Sequence, residues 1–128
     1  MNVSLIQNLL NESLAGTITF PQVVAKLIEA GVESYHMDLV RGESRYYMPN
    51  GESHVEHSTF KDHEAAQSFS VLKVQMAIKA IQTGQIKFQE FLYKVMSAGT
   101  VYYIVYLSGK KVVYFGRDGD FHIEPFPQ

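Results

Sequence analysis

The chain has 128 residues, 46% hydrophobic and 12% aromatic, with 11 basic against 13 acidic side chains for a net charge of −2 and no cysteine. A chain of this length buries about two-thirds of its unfolded surface, so the composition belongs to a globular domain rather than a disordered segment. The slightly negative balance gives no attraction for phosphate backbones, which removes nucleic acid as an expected partner, and the missing cysteine excludes disulfides, thiolate nucleophiles and thiolate metal sites.

No basic residue precedes Lys26 and no apolar run reaches the roughly 20 residues of a membrane span, so neither a secretory leader nor a membrane partner is expected and the expected location is cytoplasmic. Val3, Ile6, Leu10 and Leu14 recur at helical spacing and predict a short amphipathic helix. Phe20, Val23, Val24, Leu27 and Ile28 predict a second, with Thr19 placed to cap it, Pro21 in its first turn and Gly31 to end it. After Gly31 the pattern changes to period two. Turns expected at Arg41-Gly42 and Asn50-Gly51 divide it into three strands joined by two-residue hairpins.

A connector over 57–70 leads to the same order again. A longer helix starting near His63 carries Val71, Val74, Ile78 and Ile81; the next carries Phe88, Phe91, Leu92, Val95 and Met96 and ends at Gly99. Turns at Gly109-Lys110 and Asp118-Gly119 mark three more strands. Residues 3–56 align without a gap onto 71–124 at a constant offset of 68, with fourteen identities that include Tyr35/Tyr103, Tyr46/Tyr114, His54/His122 and Glu56/Glu124. That is roughly a quarter, against about 6% for unrelated chains. The expected fold is therefore α+β: a single domain with an internal duplication, two α-α-β-β-β repeats, and antiparallel strands packed on helices.

With two-residue turns, strand alternation gives each three-stranded meander a face shared by both copies and a face that differs. The shared face carries Tyr35, Met37, Leu39, Tyr46 and Val55, matched by Tyr103, Val105, Leu107, Tyr114 and Ile123, and reads as the core. The other face of the first copy holds His36, Asp38, Arg45, Tyr47, His54 and Glu56, in expected rows His36–Tyr47–His54 and Asp38–Arg45–Glu56. Its counterpart holds Ile104, Tyr106, Val113 and Phe115, an apolar patch of the kind soluble proteins seldom leave bare. A slip of one residue would exchange the faces.

The polar face has the residue types for acid–base work or anion binding, and equally those of an ordinary solvated sheet. Metal ligation by His36, Asp38, His54 and Glu56 suits the residue types but not the geometry, since His36 and His54 stand two strands, about 9.6 Å, apart. No metal or cofactor is expected. The apolar patch reads as a surface covered by another element, a subunit interface or a ligand groove.

The run Ala30-Gly31-Val32-Glu33-Ser34-Tyr35-His36-Met37-Asp38-Leu39, followed by Tyr46-Tyr47 and Pro49-Asn50-Gly51-Glu52, resembles the bacterial, often prophage-associated family typified by YbcV. The resemblance covers most of the chain. It implies a bacterial protein of unknown function with a small α+β fold, and it supplies no catalytic residue. The expected function is a non-catalytic binding or assembly protein. It would self-associate, most simply as a homodimer, or bind an unidentified protein or small molecule. A hydrolase or isomerase working at the polar face is the alternative, with His36 or His54 as general base and Arg45 holding an anionic substrate.

Overall fold

Local chemistry decides where each element begins. The computed structural model describes residues 1–58 and 63–127. Asn2 caps α1 (Val3–Ala15) by accepting from the Leu5 amide, and Thr19 and Gln22 form a reciprocal capping box at α2 (Phe20–Glu29), where Pro21 occupies the first turn. The second half has α3 (Val71–Gln82), capped by Ser70, and α4 (Phe88–Ser97), which starts at Lys87 with no side-chain cap. The expected helix start near His63 is thus corrected to Val71. Upstream, backbone groups are engaged elsewhere: the Ala66 and Ser70 amides donate to the Met96 and Ala98 carbonyls at the end of α4, and Arg117 donates to the carbonyls of Ala65 and Ala66.

After each helix pair come three strands: β1 (Ser34–Asp38), β2 (Glu43–Tyr47) and β3 (Ser53–His57), then β4 (Thr100–Tyr106), β5 (Lys111–Gly116) and β6 (Phe121–Pro125). They form one antiparallel sheet in the order β3-β2-β1-β4-β5-β6, so the two meanders join through β1 and β4. At that seam His36 pairs with Ile104, positions related by the offset of 68. A rough twofold axis therefore passes between them, perpendicular to the sheet.

The helices pack on one face of the sheet. Leu27, Val74, Leu92 and Val95 are buried there against Tyr35, Met37, Tyr103 and Val105. Alternation along the central strands follows the expected pattern, with Tyr35, Met37, Tyr46, Tyr103 and Tyr114 all turned to the helices.

The edge strands do not follow it. Asp38 pairs with Glu43 and Tyr106 with Lys111, so the first hairpin loop in each half holds four residues; two extra residues preserve the faces. The second loop holds three. The Met48 amide donates to the Glu52 carbonyl, with Gly51 in the left-handed region at φ 89°; the Gly116 amide likewise donates to Asp120, with Gly119 at φ 87°. One extra residue reverses the parity of β3 and β6. His54 and Glu56 consequently lie on the helix side and Val55 on the outer side; His122, Glu124 and Ile123 sit correspondingly in the second half. The expected rows His36–Tyr47–His54 and Asp38–Arg45–Glu56 are replaced. Arg45 stands between His36 and Val55, and Asp38 beside Glu43.

Candidate functional site

The outer face bears three transverse rows, read from β3 to β6. One is His57, Glu43, Asp38, Tyr102, Phe115, Phe121; the central one is Val55, Arg45, His36, Ile104, Val113, Ile123; the third is Ser53, Tyr47, Ser34, Tyr106, Lys111, Pro125. Four of the six expected polar-face residues, His36, Asp38, Arg45 and Tyr47, are therefore together, and all four of the expected apolar patch, Ile104, Tyr106, Val113 and Phe115, are together too.

The polar half is largely occupied with itself. One Asp38 carboxylate oxygen accepts from the Val40 and Arg41 amides at 3.0 Å each, closing the turn. The Arg45 guanidinium reaches the Ser53 hydroxyl at 3.4 Å, and the His36 ring lies on Tyr47 with centroids 4.9 Å apart. Partial burial, and after it the facing Arg45 charge, lowers the pKa of His36 below its ordinary value, so the ring is neutral at neutral pH.

His54 and Glu56 are hydrogen-bonded to one another on the helix side of the sheet, and the Gln7 amide of α1 donates to the same Glu56 oxygen at 3.3 Å. In the second half His122 Nε2 meets a Glu124 oxygen at 3.0 Å. The pair thus recurs at both edges and ties edge strand to core face. His36 and His54 lie on opposite faces and cannot share a substrate. Among the described residues no group of three or more His, Asp or Glu comes together as a metal site.

The feature that sequence reading missed lies between the helices and the sheet. A cavity of about 580 Å³ opens there, within the size range of small-molecule sites. Its walls are apolar, with Leu9, Leu10, Val23, Leu27, Ile78 and Phe91 prominent, and its floor is the sheet with Tyr35, Tyr46, Tyr103 and Tyr114. The Ser44 hydroxyl donates to the Tyr46 oxygen at 3.2 Å. Tyr35, Tyr103 and Tyr114 also line the cavity, and no hydrogen bond to their phenol oxygens is made among the described residues. Burial raises the pKa of all four, Tyr46 to about 12 and Tyr35, Tyr103 and Tyr114 also well above the ordinary value, so each keeps its proton and remains a donor.

Both charges at the mouth are engaged. The Lys87 ammonium donates to the Gly16 carbonyl at 3.2 Å, bridging the two interhelical loops, and Glu124 pairs with His122. Phe126 packs edge-on against Phe20 at 5.7 Å and closes one side. The signal for this site was present in the sequence. Tyr35/Tyr103 and Tyr46/Tyr114 are identical pairs on the shared face, a polar element repeated where apolar residues would have served the core better.

A family model described as protein of unknown function (DUF1398) matches residues 20–124. No curated protein matches the chain. No helix among the described residues is long and apolar enough to cross a membrane.

Proposed function

We propose that this chain, which belongs to the DUF1398 family of proteins of unknown function, is a non-catalytic binding protein that takes a small, uncharged, largely apolar molecule bearing an oxygen acceptor into the cavity between its helices and its sheet. The observation that carries the reading is the set of three protonated phenols, Tyr35, Tyr103 and Tyr114, without hydrogen-bond partners among the described residues, on the floor of an apolar cavity of about 580 Å³. A polar group facing an apolar space is costly unless it finds a partner, and a ligand oxygen supplies one. A charged ligand would have to leave water for a space with apolar walls, and an unpaired buried ion is far more expensive than a neutral oxygen.

The hydrolase or isomerase alternative lacks a converging acid and base, because His36 and His54 lie on opposite faces of the sheet. A prophage-associated bacterial origin, as the resemblance to the YbcV family implies, a cytoplasmic location and descent by duplication of an α-α-β-β-β unit complete the proposal. The polar outer cluster of His36, Asp38, Arg45 and Tyr47 then serves as a solvated sheet face.

The test is fluorescence titration with the uncharged probe phenylnaphthylamine, followed by displacement with aliphatic alcohols, phenols and the matching carboxylates. The proposal predicts saturable binding at one site, displacement by the neutral compounds ahead of the carboxylates, and loss of binding in Val23→Trp, which fills the cavity. Tyr103→Phe removes one hydrogen bond at constant volume and should weaken a bound phenol about 5-fold, the equivalent of about 1 kcal/mol. Binding that survives Val23→Trp unchanged would place the probe elsewhere and end the proposal.

A further inference from the structure

We propose that the outer face of the sheet is the contact surface for a second copy of this chain, with two sheets stacked face to face about a twofold axis that runs across the strands. This rests on the outer rows and is independent of the cavity.

The face is bare where it is most apolar: Phe121 is 58% exposed, Ile123 46% and Tyr102 43%. Phe121 lies beside Phe115, and Tyr102 packs on Phe115 with ring centroids 5.6 Å apart, so these side chains form one continuous surface with half-buried Ile104 around Val113, which is itself buried.

Size selects the occupant. Six strands span about 24 Å and five residues about 17 Å, a plan area of roughly 400 Å² before side-chain relief is counted, against the ~800 Å² per partner of a stable interface, so an occupant has to cover the whole face. The apolar half alone supplies only half of that. A peptide strand or a small ligand would leave most of the face uncovered, whereas a second copy offers a surface of equal extent. Edge-to-edge pairing is disfavoured because β6, the apolar edge strand, carries Pro125.

The chemistry fits the same axis. A twofold across the strands lays apolar half on apolar half and polar half on polar half, exchanging the two flanking rows about the central one. Asp38 then faces Ser34 of the second copy and Glu43 faces its Tyr47, pairing carboxylates with hydroxyls. Phe115 faces Lys111, an arrangement in which the ammonium lies over the ring. Arg45 lies on the axis and faces Arg45 of the second copy, with the Glu43 carboxylates of both copies one residue pair away along β2 to offset the two charges. The alternative twofold along the strands would place Arg45 over Val113, with Lys111 and Phe115 in the adjacent pairs and no carboxylate of the second copy to offset the charge.

Sedimentation or native mass spectrometry of the full chain at micromolar concentration tests the proposal. The expected result is a dimer that Ile123→Glu or Phe121→Glu converts to monomer with unchanged circular dichroism; both positions are exposed, so the fold tolerates the change. Leu72→Glu, on the exposed side of α3 where Leu72 is 67% exposed, should leave the dimer intact. A monomeric parent chain, a dimer that survives both β6 variants, or a dimer lost only with Leu72→Glu would each overturn the proposal.

Discussion

The two three-stranded halves of the sheet carry the same tyrosines and the same His–Glu pair toward the helices and different side chains away from them. Tyr35 stacks on Tyr46 at 5.2 Å in the first half as Tyr103 lies against Tyr114 at 5.4 Å in the second, and a His–Glu pair stands behind each. On the outer side, Arg45 and His36 face Ile104 and Val113 across the seam. The difference teaches where constraint lies. The inner face packs on the helices in both halves and keeps the same phenols, while its other positions differ, Met37 against Val105 and Ser44 against Val112. The outer face has to satisfy only its own surroundings, polar on one side of the axis and apolar on the other.

Matched substitutions break or sharpen this comparison. The largest contrast is expected at the glycines that end α2 and α4, both in the left-handed region. A Cβ on Gly99 would lie 2.3 Å from the Ser68 carbonyl oxygen and 2.7 Å from Phe69 Cα, backbone that cannot move freely because Ser70 is bonded to Ala98. On Gly31 it would meet only the flexible end of Met48 at 3.4 Å. Gly31→Ala should therefore cost about 1–2 kcal/mol and Gly99→Ala more than about 4 kcal/mol, read from urea unfolding. Equal losses would mean that the segment before α3 does not pack on Gly99.

A smaller contrast is expected at Leu92, fully buried in α4, and Val24, its counterpart in α2, which is only partly buried. Leu92→Ala should cost about 2–5 kcal/mol and Val24→Ala about 1 kcal/mol in the same assay.

The buried phenols make a pH prediction that applies to both halves. Their pKa values in the folded protein lie above the ordinary 10.0, so above pH 10 the unfolded chain releases protons that the folded one retains. The phenols' contribution to stability should be constant below pH 10 and fall steeply above it, and ultraviolet titration should find four of the eight tyrosines ionising only on unfolding or beyond it.

The smallest effect belongs to the polar half alone. His36 should titrate by NMR with a midpoint below 6.5, and Arg45→Gln should raise that midpoint only part of the way, because burial outweighs the arginine as its cause. Stability contributed by the neutral ring is complete above pH 6.5 and is lost as the pH falls toward the folded midpoint.

Much of the fold was legible because its determinants are local. The stripe from Phe20 to Ile28, the Thr19 cap and the stop at Gly31 specify α2 without help from the rest of the chain, and the offset of 68 carries the same reading to α4. What escaped depended on counting a loop. Asn50-Gly51 and Asp118-Gly119 suggest two-residue turns, but the structure uses three residues with glycine last, and that single residue moved His54, Glu56 and Ile123 to the opposite face. The central strands kept their faces because their loops exceed the expected length by two. The cavity escaped for a different reason. Empty volume depends on how far the helices stand from the sheet, which no residue pattern encodes, although the duplicated tyrosines marked its floor.

The central claim is tested most directly by NMR of the side chains while a small neutral phenol is titrated into the protein. Binding in the cavity predicts saturable shifts at the rings of Tyr35, Tyr103 and Tyr114 and the methyls of Leu9 and Leu27, with Phe121 and Ile123 unmoved. Shifts confined to the outer face, or none at any of these residues, would contradict it.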